Sequence, residues 1–358
     1  MTGSEQKTAN PYSLPQPEKE SFLVSELSKL TRHHKERCPD YARLLHLFYS
    51  DRMEFHRLDE IPYLPVNLFK TKKLLSIPPS EVFKVLRSSG TTSIQQSMIF
   101  LDAQTAHRQT VALADIMTSV LGPKRLPMVV LDHPNVIADK ALLSARGAAL
   151  IGMLTFGRDI CYAFDERMVL DLPQLQTWLK NHQKEPLLLF GLTFVIWKYF
   201  LPQLWNHEID LSNAILMHTG GWKKLADESI DNDEFKRQVA SHTGIRRCYN
   251  FYGTVEQIGT VFVECDNGYL HCPQCADVII RDPKSWTPQM PLKPGVIQLL
   301  STLPLSYPGH SLLTEDMGVI QGVDDCPCGR KGQYFHVLGR VPSAEIRGCS
   351  DTFTLEKS

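Results

Sequence analysis

Residues 87–93 read RSSGTTS, a run of hydroxyl side chains around Gly90, set between the apolar residues Val82, Phe83, Val85 and Leu86 and the apolar segment 98–101. Hydroxyls and backbone N–H groups gathered around a permissive glycine form a concave anion nest suited to a nucleotide polyphosphate. No Gly-Lys-Ser/Thr follows, so this is not a Walker P-loop. The same residues also describe an ordinary turn between two strands, and the choice depends on what the rest of the chain supplies.

Downstream, 103–120 places Ala106, Val111, Leu113, Ile116 and Met117 at helical spacing. The runs 128–132 (MVVLD), 148–154 (AALIGML) and 186–190 (PLLLF) are short, largely apolar and separated by helical segments. That pattern predicts strands buried on both faces of an α/β sheet. Segment 214–218, followed by Thr219-Gly220-Gly221, repeats the strand-then-turn arrangement. After Gly253 the rhythm changes to Gly/Pro-punctuated β segments at 269–271, 278–280, 296–301 and 319–320, which predicts a β-rich subdomain over about 254–340. Upstream, Phe22, Leu23, Leu27, Leu30, Tyr41, Leu44, Leu45, Leu47 and Phe48 recur at helical spacing and predict an opening helical layer. Residues 1–20 are polar, carry three prolines and read as an N-terminal arm.

With 358 residues and 43% hydrophobic content the chain can fill a substantial core. A net charge of -1 builds in no general attraction for nucleic acid or an anionic membrane. No secretory-type apolar region opens the chain and no stretch is long and apolar enough to span a bilayer, so the expectation is a cytoplasmic protein. Nine cysteines, an odd number, then favour free thiols, metal ligands or a nucleophile over a disulfide framework.

Four segments follow one another in a fixed order: RSSGTTS at Arg87, YNFYGTVEQ at Tyr249, LTEDMG at Leu313 and LGRVPSAEIRG at Leu338. Together they resemble the ordered core motifs of the adenylate-forming superfamily, which activates carboxylic acids with ATP. With SARGA at Ser144, FGLTF at Phe190 and TGGWK at Thr219, the set is similar to the acyl-protein synthetase component of the bacterial luminescence fatty-acid reductase system, and more distantly to phenylacetate–coenzyme A ligases. The resemblance runs from about residue 20 to the end. It implies an α/β fold: the large domain of an adenylate-forming enzyme spanning 21–340, with α/β sheets and the β-rich subdomain.

Acyl adenylation sets a carboxylate against the α-phosphate of ATP, so cations and oriented donors must offset the repulsion of two anions. By resemblance, Ser88, Ser89, Gly90, Thr91 and Thr92 cradle the departing pyrophosphate. Thr254 touches the α-phosphate, and Glu256 holds Mg²⁺, a hard cation that prefers carboxylate oxygen. Tyr252, beside Gly253, stacks on adenine, while the Thr219-Gly220-Gly221 turn lets backbone lie close to the purine. Asp316 of TEDMG accepts both ribose hydroxyls, which needs a carboxylate. Arg340 contacts ribose or phosphate.

Here the chain departs from the superfamily. By the same resemblance, Pro342 and Ser343 stand in place of the usual acidic hinge element, and the expectation is that the mobile lid domain with its catalytic lysine is largely absent, with Lys223 of the GGWK segment as the candidate cation. Cys349, tenth from the C-terminus, sits on a short polar tail (341–358), much as the luminescence synthetases place the cysteine that receives the acyl group. Its thiolate is the attacking species, favoured by a cation such as Arg347.

The other clustered cysteines look metallic. Cys265 and His271 bracket a turn and CPCGRKG supplies Cys326 and Cys328, an arrangement that holds zinc in phenylacetate-ligase-like proteins. A rival set pairs Cys272 and Cys275 with Cys326 and Cys328; the spacing leaves both open. Cys38, Cys161 and Cys248 are isolated and read as core residues. His133, Pro134 and Arg146 are candidates for the acyl or nucleotide pocket, and Phe190, Leu192, Phe194 and Trp197 for an apolar acyl tunnel.

The reading that follows is an ATP-dependent acyl-protein synthetase using Mg²⁺ and a structural Zn²⁺, passing a fatty acyl group through Cys349 to a reductase or carrier protein. The alternatives are a coenzyme A or carrier-protein ligase of the phenylacetate-ligase type, and a non-catalytic zinc-bearing binding module.

Overall fold

The structure, a computed structural model, describes residues 10–88, 96–137, 145–205, 207, 209–221 and 230–341. Helices α1 (Gln16–Arg37) and α2 (Pro39–Tyr49) form the opening layer, broken at Cys38 because Pro39 disfavours helical backbone in the residue before it. Strand β1 (Leu64–Pro65) follows, then the antiparallel pair β2 (Lys84–Arg87) and β3 (Met98–Leu101), whose far ends flank the Ser/Thr loop. The loop of the opening motif thus leaves and re-enters a hairpin, as either of its two readings requires.

Helix α3 (Ala103–Leu121) begins where the Asp102 carboxylate accepts the Thr105 N–H at 2.7 Å. It leads into five parallel strands, β4 (Leu126–Val130), β5 (Gly157–Tyr162), β6 (Leu187–Leu192), β7 (Ala214–Thr219) and β8 (Arg247–Tyr252), in the order β5-β4-β6-β7-β8. Every residue of β4 and β6 is buried, as expected for strands covered by helices on both faces.

Segment 148–154, read from sequence as a strand, lies instead in helix α4 (Ala145–Leu154). A short apolar run cannot be assigned by periodicity alone; this one is built mainly of Ala, Leu and Met, which favour helix, with a single β-branched residue. The strand of this βαβ unit is β5. It escapes an apolar scan because GRDICY, at the sheet edge, buries only Gly157 and Cys161 and carries two charged residues.

Strand β8 pairs in parallel with β7 on one side and antiparallel with β9 (Phe262–Glu264) on the other, so the change of rhythm after Gly253 is a change of pairing within one sheet. The sheet continues through β10 (Leu270–His271), β14 (Gln333–Arg340), β13 (Ser311–Val323), β12 (Gly295–Ser301) and β11 (Ala276–Arg281), with β1 added in parallel on β13. Twelve described strands thus share a single sheet.

Residues 10–20, read as part of a polar arm, are docked. Tyr12 and Lys19 are buried, the Lys19 ammonium lies 3.4 Å from the Asp277 carboxylate, and Gln16 Nε2 donates to the same carboxylate at 2.8 Å. Polar composition misleads here because the polar groups find buried partners instead of water. Among the described residues no helix is long and apolar enough to cross a membrane.

Candidate active site

The parallel strands run outward from β4 in both directions, to β5 on one side and β6 on the other, so the carboxyl ends of β4 and β6 mark a topological switch point where open α/β sheets bind ligands. The carboxyl ends of β7 and β8 extend this rim. The Thr193 hydroxyl, just past β6, sits 2.8 Å from His218 Nδ1 and 3.2 Å from the Thr219 carbonyl, and the Thr219 hydroxyl donates to the Phe251 carbonyl at 2.9 Å. These bonds fix the Thr219-Gly220-Gly221 turn against the YNFYG strand. Gly220, at φ +101°, occupies backbone space that side-chain-bearing residues rarely adopt, and Gly221 is exposed.

Tyr252 ends β8, and its hydroxyl donates to Asp316 Oδ2 at 2.7 Å. Asp316 stands in register with Arg340 across β13 and β14, with Arg340 Nε 3.7 Å from Asp316 Oδ1 and a guanidinium nitrogen 3.9 Å from Glu315. Gly339, at φ +119°, bends β14 immediately before Arg340. Three residues from separate sequence motifs therefore meet at one carboxylate.

Beyond Gly253, the single turn Val255–Gln257 presents Glu256, which is only 7% exposed. The Tyr307 hydroxyl donates to the Glu256 carbonyl at 2.8 Å and Gln257 Nε2 to the Gly309 carbonyl at 2.7 Å, holding the turn rigid. Burial pushes the Glu256 carboxyl above its ordinary range; the Lys70 ammonium pulls it down, and the neighbouring Glu315 carboxylate pushes it further up. A buried carboxylate, held above its ordinary range chiefly by desolvation, is an electrostatic arrangement that a divalent cation relieves. The Thr254 hydroxyl is buried with no hydrogen-bond partner among the described residues. Strand β3 packs on this turn, and Ser88 closes the hairpin with Ser97 through bonds of 3.1 and 2.9 Å.

Ser89, Gly90, Thr91, Thr92, Lys223 and Cys349 lie outside the described residues, as do Ser144, Pro342, Ser343 and Arg347. The Lys70–Glu256–Glu315 grouping was missed from sequence, although the lysine run at 70–73 ahead of the phosphate-type loop was a usable signal. Arg146 forms a buried pair with Asp132 just past β4, the bond from its Nε measuring 2.6 Å, with His133 on the same carboxylate through its backbone N–H at 2.7 Å. Phe190 and Leu192 belong to two different buried clusters, and Phe194 and Trp197 pack against the cluster that holds Leu192.

The second constellation lies on the antiparallel side. Ligand atoms of Cys265, His271, Cys326 and Cys328 all fall within 4.8 Å of one another. The Cys265 and Cys326 sulfurs are 3.8 Å apart, and Cys328 Sγ is 3.4 Å from His271 Nε2. Tetrahedral zinc with bonds of about 2.3 Å to sulfur and 2.0 Å to nitrogen spaces its ligands by about 3.5–3.8 Å, so the donors present fit that ion in type, number and spacing. Burial first, then the neighbouring thiols, pushes the Cys326 thiol up to about 12, a penalty on thiolate that a bound cation reverses. The rival ligands Cys272 and Cys275 stay outside the group; Cys272 is fully buried in the core of the antiparallel half. Cys38, Cys161 and Cys248 are buried, as expected of core residues.

A family model described as acyl-protein synthetase, LuxE, matches residues 7–357. Two curated relatives both carry the name long-chain-fatty-acid–luciferin-component ligase. The Vibrio harveyi protein is 25% identical over 325 residues, covering 82% of this chain and 77% of its own length. The Aliivibrio fischeri protein is 24% identical over 346 residues, with 92% and 86% covered. Among solved structures, a 2-hydroxyisobutyryl-CoA ligase in an open conformation with 2-HIB-AMP and CoA superposes with a TM-score of 0.71 at 15% identity, covering 96% of this chain and 80% of that one. The same ligase in its postadenylation state gives 0.67 at 14% identity, with 95% and 72% covered. At such identity the likeness is one of fold: the α/β architecture of adenylate-forming ligases.

Proposed function

This chain belongs to the LuxE acyl-protein synthetase family, and from that premise we propose that it uses ATP to convert a long-chain carboxylic acid into an acyl-adenylate, moves the acyl group onto Cys349, and delivers it to an acyl-accepting reductase or carrier protein. The adenylation domain is residues 21–340, and the tail 341–358 carries the thiol. What supports the site assignment most strongly is the meeting of Tyr252, Asp316 and Arg340 within one hydrogen-bonding group beside Glu256.

In the first step a carboxylate oxygen of the acid bonds to the α-phosphorus of ATP, and the bond from that phosphorus to the bridging oxygen breaks as pyrophosphate leaves. Asp316 takes the ribose hydroxyls and Tyr252 the adenine, fixing the α-phosphate beside Thr254, whose unpartnered hydroxyl is available to donate to it. Mg²⁺, held by Glu256, supplies charge neutralisation on the phosphates. Ser88 and the loop 89–92 hold the leaving pyrophosphate, and Lys70 and Lys223 add positive charge. In the second step the Cys349 thiolate attacks the acyl carbonyl, forming the thioester and releasing AMP.

Zinc, held by Cys265, His271, Cys326 and Cys328, plays a structural part. Reduced, unpaired thiols at all eight described cysteines suit a reducing compartment, and we assign the enzyme to the cytoplasm.

The deciding experiment measures acid-dependent exchange of labelled pyrophosphate into ATP over a panel of chain lengths, together with covalent acyl label on the protein. Exchange should peak with long-chain acids, and Cys349→Ser should abolish the label while retaining exchange. An unmutated enzyme that exchanges pyrophosphate but never carries acyl label points to an external thiol acceptor, and absence of exchange with every acid sinks the adenylation reading.

A further inference from the structure

Tyr252 and Asp316 lie on strands separated by β9, β10 and β14 in the sheet order. Four steps of about 4.8 Å each would hold two such strands roughly 19 Å apart in a flat sheet. The side chains nevertheless touch at 2.7 Å. The three intervening strands allow this: β9 has three residues and β10 two, and the sheet curls past them. The Tyr252 ring rests on Phe262 and Phe335 at centroid distances of 6.2 and 6.3 Å, and those two rings meet edge to face at 5.3 Å. An aromatic floor thus fixes where the hydroxyl points. On its other oxygen, Asp316 faces Arg340 at 3.7 Å, and its backbone N–H donates to the Thr314 hydroxyl at 3.1 Å.

We propose that the Tyr252 hydroxyl is a positioning group for Asp316: it sets the rotamer of the ribose-binding carboxylate and thereby makes the enzyme selective for ribonucleotides over 2′-deoxynucleotides. This rests on the adenylation reading and adds to it. Stacking on adenine needs only the ring, which Phe would supply equally well; the hydroxyl serves the sugar. With Tyr252 Oη on Oδ2 and the guanidinium flanking Oδ1, the carboxylate is held in one orientation before nucleotide arrives, the orientation in which it meets the sugar hydroxyls. Without the tyrosyl hydroxyl it must be ordered by the ligand itself.

The test is equilibrium binding of Mg-ATP and Mg-2′-deoxy-ATP to the full chain by titration calorimetry. A hydrogen bond to a charged group corresponds to about 10- to 100-fold in affinity, so the wild type should prefer ATP by about that factor. Tyr252→Phe should weaken ATP binding about 5- to 20-fold and 2′-deoxy-ATP, which keeps its 3′-hydroxyl on the same carboxylate, by clearly less, lowering the ratio. Tyr252→Ala, which also removes the ring, should weaken both nucleotides alike beyond that. Asp316→Asn provides a second route: the double variant Tyr252→Phe/Asp316→Asn should discriminate no less than Asp316→Asn alone. Wild-type selectivity retained in Tyr252→Phe, or additive losses in the double variant, overturns the inference. Failure of the wild type to bind either nucleotide overturns the adenylation reading instead.

Discussion

At the scale of single residues, the site carries a conflict between stability and function at Glu256. Its carboxyl is buried and held above its ordinary range, so the folded protein binds that proton more tightly than the unfolded chain does. Ionising it at neutral pH therefore costs stability: the favourable contribution is present only at low pH and fades as pH rises through the raised value. Glu256→Gln removes the cost, and its thermal midpoint at pH 7 without metal should exceed that of the wild type, while pyrophosphate exchange should fall by about 100-fold or more with the loss of the cation ligand. Scanning calorimetry and the exchange assay on one preparation check both halves. An unchanged exchange rate would remove Glu256 from the machinery. The candidates named from sequence that the fold brings together here, Tyr252, Glu256, Asp316 and Arg340, share one property: each sits in a short motif whose neighbours constrain its backbone. Lys70 and Glu315 were overlooked because nothing local distinguishes a site lysine from a solvated one; their significance is the distance to Glu256 across the fold.

Among elements, the Cys/His constellation ties the β9–β10 hairpin to the turn ahead of β14, two pieces that are otherwise short on backbone pairing. β10 contributes two residues to each neighbour. Cys326→Ser should reduce bound zinc from about one per chain to a small fraction and lower the thermal midpoint. Metal analysis alongside calorimetry reads this directly; a wild type purified without metal from zinc-supplemented cells would dismiss the centre. Cys272→Ser and Cys275→Ser should leave metal content intact, since neither sulfur belongs to the group. Spacing alone could not separate the two ligand sets, because Cys272 follows His271 directly and a one-residue step along a strand reverses the direction of a side chain. The strand β10 presents His271 to the Cys265 side and sends Cys272 into the core.

For the whole molecule, three histidines outside the metal group are buried and neutral. His218 and His310 are held down at about 3 and His34 well below its ordinary value, in each case chiefly by burial. His34 and His310 stack at 5.0 Å and join the helical layer to the segment leading into β13, with Ser76 on one ring and Thr31 on the other. An unfolded chain protonates these rings as pH falls below about 6.5, whereas the folded state does not, so stability is lost from there downward at about 1.4 kcal/mol per pH unit for each ring. The urea midpoint should drop steeply between pH 6.5 and 5, above the ordinary range of exposed carboxylates. A midpoint flat down to pH 5 would mean that these rings take up protons without unfolding.

The order of the motifs, the alternation of buried strands and helices, and the change to β-rich structure after Gly253 are legible in the chain alone, because each is written in local spacing and composition. It took the folded chain to reveal that the change happens inside one continuous sheet, that residues 10–20 dock through a buried ion pair, which four Cys and His donors gather, and that Tyr252 reaches Asp316 over three strands. Each of these depends on the curl of a sheet or the direction of a side chain, and such quantities are fixed by non-local pairing that a linear pattern does not encode.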